Sequence, residues 1–138
     1  SGIDLSNVER GFAALLPLDS DRSARRIRDI VRAKLGVTVG VIVSDTFGRP
    51  WRKGLTDVAI GVAGIAGVVD LRGTEDALGR VMQVTEVAVA DELACAAELV
   101  MGKSTGVPVA IIRGADPMWF RDSSMDEIVR PPSEDLFR

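Results

Sequence analysis

A run of aliphatic residues in the first half of the chain constrains the fold most. Residues 37–45, VTVGVIVSD, are rich in β-branched side chains, and polar and apolar positions hardly alternate along them. This pattern is typical of a β-strand that is buried on both faces, which requires other elements above and below it. The sequence therefore predicts a buried strand over these residues, with Asp45 at its carboxyl end.

Two segments with helical periodicity lie on either side of this strand. Residues 18–36 predict an amphipathic helix that stops at Gly36, and residues 86–101 predict a second helix that stops at Gly102. The second helix carries a seam of mostly small side chains, which suits close packing against a neighbour. With 138 residues, the chain is long enough to bury a core as one domain. We predict an α+β or mixed α/β fold, with a buried β-sheet and flanking helices.

Further strands are predicted on the carboxyl side of Asp45. Residues 57–73 place Gly61, Gly64 and Gly67 at every third position, which favours close backbone packing or bends in strands over the interior of a helix. This segment predicts a strand, a turn and a second strand. Residues 106–114, GVPVAIIRG, predict a last buried strand.

Composition excludes several classes of function. The chain has no histidine and one cysteine, which argues against zinc hydrolases, Ser-His-Asp and Cys-His catalysis, and an internal disulfide. Its 17 basic and 20 acidic residues give no general attraction to nucleic acid or to an anionic membrane. The longest uncharged apolar run, residues 58–69, is too short to cross a bilayer. We expect a cytoplasmic protein whose chemistry uses carboxylates, hydroxyls, cations and a hard metal ion.

Polar and cationic residues follow the aliphatic run directly. Asp45 and Thr46 offer one anionic and one neutral oxygen, the ligand type that Mg²⁺ and Mn²⁺ prefer. Three cations then follow, Arg49, Arg52 and Lys53, which are suited to binding phosphate or carboxylate groups. In the alternative, Asp45 and Thr46 cap a turn and the GRP sequence makes a tight loop. Spacing by itself leaves both interpretations open.

The turn MGKSTG at residues 101–106 has two interpretations. Its GKS ends like a phosphate-binding P-loop, but that motif requires glycine at position 97, where this chain has Ala97, and it precedes a helix instead of following one. The looser interpretation is a glycine-rich turn in which Lys103, Ser104 and Thr105 donate hydrogen bonds to an anion. The residues by themselves favour an ordinary helix C-cap with a lysine near the negative end of the helix dipole.

Three segments together resemble the coenzyme F420:L-glutamate ligase family, the F420 gamma-glutamyl ligases: GIDLSNV at 2–8, GVTVGVIVSDTFGRPWRKGLTDVAIGVAG at 36–64 and VTEVAVADELACAAELVMGK at 84–103. The resemblance implies an enzyme that uses GTP and a divalent metal ion to activate the terminal carboxylate of the deazaflavin precursor as an acyl phosphate. The amine of L-glutamate then attacks, which leaves a gamma-linked glutamyl tail. The resemblance also implies a homodimer.

The resemblance further implies that residues 1–138 are the carboxy-terminal part of a ligase domain. Members of the family have roughly a hundred further residues before the GID motif, and this chain opens on SGIDLSN without an initiator methionine. Those upstream residues supply part of the nucleotide site. We therefore expect the 138 residues to be a poor catalyst or none by themselves.

Roles are implied residue by residue where the motifs match. The metal ligands are Asp4, Asp45 and Thr46, for Mg²⁺ or Mn²⁺; the nucleotide contacts are Asn7 and the turn residues Met101, Gly102, Lys103 and Ser104. The assignment of Arg49, Arg52 and Lys53 to phosphate or substrate carboxylate rests on physical grounds only, and no catalytic residue is assigned. Two alternatives remain: a non-catalytic homo-oligomeric module whose acids and arginines form structural ion pairs, and a different carboxylate–amine ligase on a similar scaffold.

Overall fold

The computed structural model of the chain describes residues 8–135 and the backbone of residues 3 and 4. The described residues contain two α-helices and six strands, and the strands pair into three two-stranded antiparallel sheets. In chain order the elements are β1 (Ile3–Asp4), β2 (Ala14–Leu15), α1 (Ser20–Leu35), β3 (Val41–Arg49), β4 (Arg52–Ala63), β5 (Val69–Asp70), β6 (Glu86–Val87) and α2 (Val89–Met101), followed by 3₁₀ helices at Pro117–Trp119, Met125–Glu127 and Pro132–Glu134. The predicted α+β class is confirmed.

The long hairpin of β3 and β4 is the centre of the fold. Val41 pairs with Ala63 at its open end, and Arg49 pairs with Arg52 next to the turn. The prediction of a strand that ends at Asp45 was wrong, because β3 continues to Arg49 and places Asp45 within the strand. β3 is also half-buried instead of buried on both faces. An antiparallel hairpin can pack one face on the core and leave the other face, with its polar side chains, open to water.

Both predicted helices are present. α1 begins where the Asp19 carboxylate accepts a hydrogen bond of 2.7 Å from the backbone N–H of Arg22, and it ends at Gly36 in the left-handed conformation. α2 ends at Gly102, as predicted, but it begins three residues later than expected. The reason is that Glu86 and Val87 form strand β6, which pairs with β5, so the helix begins only after them. No helix in residues 8–135 is long and apolar enough to cross a membrane.

The core lies where α1 and α2 pack on β4. Ala24 of α1, Val62 of β4 and Ala90 of α2 are fully buried. Each helix also presents a carboxylate from its first turn to a backbone N–H of β4: Asp21 accepts from Val62 at 2.8 Å, and Asp91 accepts from Ala59 at 2.9 Å. These bonds satisfy donors at a strand edge that would otherwise be unpaired.

The close backbone packing predicted from the glycine spacing is confirmed at Gly61 and Gly64. A Cβ on Gly61 would lie 2.4 Å from the carbonyl carbon of Ser20, and a Cβ on Gly64 would lie 3.2 Å from the carbonyl oxygen of Val39. A Cβ on Gly67 would lie 3.0 Å from a carbon of Ile128, which belongs to a side chain. The first distance leaves no room for any side chain. Because Gly61 has no side chain, the start of α1 can approach the backbone of β4 this closely.

The buried strand predicted at residues 106–114 is not formed among the described residues. The segment has no regular structure, and Val109 and Ile111 are 71% and 79% exposed. Its backbone makes no hydrogen bond to other backbone groups in the described part of the chain. An apolar, β-branched segment forms a buried strand only when another strand pairs with it, and no described strand does so here.

The segment after residue 114 attaches to the turn that follows β4. Arg121 holds Glu127 through two hydrogen bonds of 2.5 and 2.8 Å. The Glu127 carboxylate in turn accepts from the backbone N–H groups of Gly67 and Val68 at 3.2 and 3.4 Å. These interactions lower the pKa of Glu127 below its ordinary value, and the hydrogen bond from Arg121 is the largest cause.

We predict that Gly61→Ala destabilises the fold by about 1–3 kcal/mol, because the added methyl group collides with the backbone of α1. Urea unfolding measures the change. Gly48→Ala is the matched control, since a Cβ there meets its nearest atom, on Leu55, only at 4.0 Å. Equal stabilities of the two variants would contradict the close packing described here.

We predict that the Arg121–Glu127 pair makes stability depend on pH at the acidic end. The folded-state pKa of Glu127 is lowered, so its contribution is complete above the unfolded-state pKa of about 4.3 and is lost as pH falls through the folded value. Glu127→Gln should cost about 1 kcal/mol at neutral pH, because the pair is partly exposed to solvent. It should also flatten the pH profile of unfolding below about pH 4.5, whereas the exposed Glu134→Gln should change neither.

Candidate functional site

An open pocket of about 330 Å³ lies where the middle of the β3–β4 hairpin meets the carboxyl end of α2. Three parts of the chain contribute to it: the polar middle of the hairpin, the last turn of α2 and the turn and extended segment that follow. Its lining residues are Ser44, Asp45, Thr46, Asp57, Glu98, Met101, Gly102, Lys103, Val107 and Pro108.

The pocket brings together two groups that the sequence presents separately. Asp45 and Thr46 were predicted as metal ligands, and Met101, Gly102 and Lys103 as part of a nucleotide-binding turn; all five line the same pocket. The Lys103 ammonium donates a hydrogen bond to the hydroxyl of Thr46. The turn after α2 and the centre of β3 therefore form one continuous site.

The Asp45 carboxylate is held against the strand that carries it. Its Oδ1 accepts a hydrogen bond of 2.8 Å from the backbone N–H of Thr46. No hydrogen bond from a described residue reaches its Oδ2. One oxygen is thus fixed by the backbone, and the other is available to a ligand in the pocket.

Asp57 is a pocket residue that the sequence analysis missed. It is paired with Thr46 in the hairpin register, and it is only 5% exposed. The Ser44 hydroxyl donates to its Oδ2 at 2.9 Å, and the Cys95 thiol donates to its carbonyl oxygen at 3.0 Å. Regular pairing across the turn at residues 50–51 would place Leu55 opposite Thr46. The register shift between Gly48 and Arg49 brings Asp57 there instead, and no pattern in the sequence indicates that shift.

Glu98 was also missed, and it reaches the pocket because α2 is anchored one turn earlier. Cys95 contacts both Thr56 and Asp57 of β4 at 3.0 Å. Residues three apart on a helix lie on the same face, so this anchor directs Glu98 to the pocket. The lining then carries three carboxylates against the single ammonium of Lys103, which favours binding of an added cation.

The three cations predicted to bind anions lie at the other end of the hairpin. Arg49 pairs with Arg52 beside the turn, about 10 Å along the strand from Thr46, and neither they nor Lys53 lines the pocket. Arg49 is half-buried, and its Nε is buried without a hydrogen bond from the residues described. These side chains form a second cationic group, separate from the carboxylates.

The remaining predicted residues are placed only in part. Ser104 adjoins the pocket without lining it. The backbone of Asp4 pairs with Ala14 in the sheet of β1 and β2, but its side chain lies outside the described part of the structure. Asn7 also lies outside the described residues.

The oxygen donors of the pocket fit a hard metal ion with an open coordination sphere. Within residues 8–135, no group of three or more acidic, histidine or cysteine side chains is arranged to hold a metal. Mg²⁺ usually binds proteins through one or two carboxylates and keeps several waters or substrate phosphates. The available Oδ2 of Asp45 and the Thr46 hydroxyl match this incomplete protein ligand set.

Comparison with known proteins gives a consistent result over most of the chain. The model of the family described as F420-0:Gamma-glutamyl ligase matches residues 1–114. The chain is 47% identical to the coenzyme F420:L-glutamate ligases of Methanococcus maripaludis strain C7 and Methanocaldococcus jannaschii, and 46% identical to that of Methanopyrus kandleri. Each match covers 100% of this chain but only 55–56% of the relative, so the chain spans about half the length of the curated relatives it matches.

Proposed function

Because this chain belongs to the F420-0:gamma-glutamyl ligase family, we propose that it is part of an enzyme that adds L-glutamate through a gamma linkage to the deazaflavin F420 precursor. The proposed enzyme uses GTP and a divalent metal ion. The observation that carries the proposal is the single pocket shared by Asp45, Thr46 and the turn that contains Lys103. Metal ligands and a nucleotide-binding turn must be adjacent if the metal is to contact phosphate.

In this proposal the oxygens of the pocket bind the metal ion, and the turn binds the nucleotide. Asp45 and Thr46, together with Asp4, hold Mg²⁺ or Mn²⁺. The ion neutralises the charge of the triphosphate. Residues 101–104 and Asn7 contact the nucleotide, where backbone N–H groups and the Lys103 ammonium can donate to phosphate oxygens.

The proposed reaction has two steps. The terminal phosphoryl group of GTP passes to the precursor carboxylate, so that GDP leaves and an acyl phosphate forms. The amine of L-glutamate then attacks the acyl carbon, the phosphate leaves with the electrons of the broken C–O bond, and the amine loses a proton. Phosphoryl transfer depends mainly on positioning and charge neutralisation, which agrees with a chain that contains no histidine.

The length that the relatives have beyond this chain is part of the proposal. We propose that it completes the nucleotide site and supplies a strand alongside residues 106–114, whose exposed apolar side chains and unpaired backbone leave room for one. The proposed assembly is a homodimer. The 138 residues by themselves should bind ligands more readily than they turn over substrate.

A non-catalytic module held by structural ion pairs is the competing proposal, and the ion pairs argue against it. Those that form among the described residues, such as Arg72 with Asp70 and Arg121 with Glu127, lie away from the pocket. The pocket carboxylates Asp45, Asp57 and Glu98 are in none of them. Acidic groups kept out of ion pairs are better suited to a ligand than to a structural network.

Thermal unfolding with and without Mn²⁺ and GTP tests the proposed function. At a ligand concentration about 100-fold above the dissociation constant, binding adds about 2.7 kcal/mol to stability, which raises the Tm by several degrees. We predict this rise for the native chain and its loss in Asp45→Asn, with the unliganded Tm nearly unchanged. The exposed Asp29→Asn should keep the full rise.

Two outcomes of that experiment would redirect the proposal. A rise that survives in Asp45→Asn would remove Asp45 from the site. No rise in this chain, but a rise once the chain is extended to the length of its relatives, would place part of the ligand-binding surface in the added length. No rise in either form would support the structural module.

We predict that Arg52→Ala weakens GTP or precursor binding about tenfold, the loss expected for one charge-assisted hydrogen bond, and leaves Mn²⁺ affinity unchanged. Isothermal titration with each ligand separates the two effects. Arg26→Ala, an exposed arginine on α1, is the matched control for the loss of positive charge. Unchanged affinity for both GTP and the precursor would contradict the predicted role of Arg52 in binding phosphate or substrate carboxylate.

A further inference from the structure

The face of the hairpin between the pocket and the turn is open and apolar. Gly48 pairs with Leu55 across the two strands. This pair lies two positions along β3 from Thr46, and therefore on the same face, about 7 Å from that pocket residue. Trp51 follows in the turn itself and is 75% exposed. We propose that this surface binds the flat ring system of the deazaflavin precursor, whose tail runs from here into the pocket. The inference rests on the ligase function proposed above.

Gly48 leaves a flat floor on this face of the hairpin. A Cβ there would meet its nearest described atom, on Leu55, only at 4.0 Å. A glycine inside a strand has no side chain to pack, and it often marks a place where a ligand approaches the backbone closely. Leu55 is 66% exposed and forms a wall beside this floor. A flat ring placed on the floor and against the leucine would remove apolar surface from water.

Three cations lie next to this apolar surface. Arg49 pairs with Arg52 beside the turn, and Lys53 lies between Arg52 and Leu55 in β4. None of the three cations is in an ion pair formed among the described residues. A ligand at this surface therefore meets apolar contacts and positive charge together. The precursor matches both, because it joins a flat ring to a tail that ends in a carboxylate.

The size of the pocket also places the ring outside it. The proposed reaction takes place at the terminal carboxylate of the precursor, which must reach the phosphoryl group of GTP in the pocket. The pocket has about 330 Å³, near the lower end of the roughly 300–1,000 Å³ of small-molecule sites, and it must also hold phosphates and a metal ion. The ring therefore needs a separate surface, and the apolar face at Gly48 continues directly from the pocket along β3.

Tryptophan fluorescence tests the inference. The chain has two tryptophans and no tyrosine. The Trp119 carbonyl accepts a hydrogen bond from Ala66, which lies beyond the far end of β4 from Trp51, and β4 is about 35 Å long. In Trp119→Phe only Trp51 emits, and in Trp51→Phe only Trp119 emits. We expect the precursor to quench most of the emission of Trp51 and little of that of Trp119, whereas GTP should quench neither.

A second measurement uses variants that keep both tryptophans. Leu55→Ser should weaken precursor binding about tenfold, because it removes the wall beside Gly48, and it should leave GTP affinity unchanged. Leu78→Ser changes a leucine of similar exposure between β5 and β6, and it should change neither affinity. Isothermal titration measures both ligands in this chain and in the chain extended to the length of its relatives.

The outcomes separate this inference from the proposed function. Precursor binding that leaves Trp51 emission unchanged and survives Leu55→Ser would overturn the inference and leave the ligase function intact. Quenching of Trp51 by GTP would assign the surface to the nucleotide base and overturn the inference as well. If only the extended chain binds the precursor, the two leucine variants of that chain decide. Absence of precursor binding in both chains would overturn the proposed function itself. Circular dichroism melting confirms that each variant is folded.

Discussion

The Asp21 carboxylate holds three parts of the fold together. One oxygen accepts from the backbone of Val62 in β4 at 2.8 Å, and the other accepts from the backbone of Met125 at 3.0 Å. Asp21 itself lies in the first turn of α1, where a negative charge is favoured by the helix dipole. The core is built mainly from alanine and valine and so offers limited apolar area. Fixed polar contacts of this kind therefore determine where the helices lie on the hairpin.

The Asp91 carboxylate attaches α2 to β4 in a similar way, and this attachment determines where the pocket lies. The bond from Ala59 to Asp91 fixes the start of α2 on β4, and the contacts of Cys95 with Thr56 and Asp57 fix its middle. Once these points are set, the last turn of the helix must lie beside the centre of the hairpin. The site is thus a consequence of how α2 packs, and its residues are adjacent before any ligand binds.

The sequence predicted those features whose causes are local. Helical periodicity and a glycine stop are encoded within a few residues, so both helices and the stops at Gly36 and Gly102 were predicted correctly. The end of β3 was not predicted correctly, because the pairing of Thr46 with Asp57 depends on residues across a turn. The prediction of a strand that is buried on both faces placed Asp45 at its end and left Asp57 unnoticed. Glu98 was missed as a pocket residue for a similar reason, since its position in the pocket depends on where α2 is anchored on β4.

Residues 106–114 have the composition of a strand without a partner strand among the described residues. Their composition is that of a buried strand, yet Val109 and Ile111 face solvent and the backbone has no partner among the described residues. Exposed apolar side chains and unpaired strand edges are costly and invite pairing. Val107 and Pro108 at the start of this segment also line the pocket. In the proposed enzyme, the strand that pairs with this segment therefore also fixes one wall of the pocket, so the same contact completes the fold and the binding site.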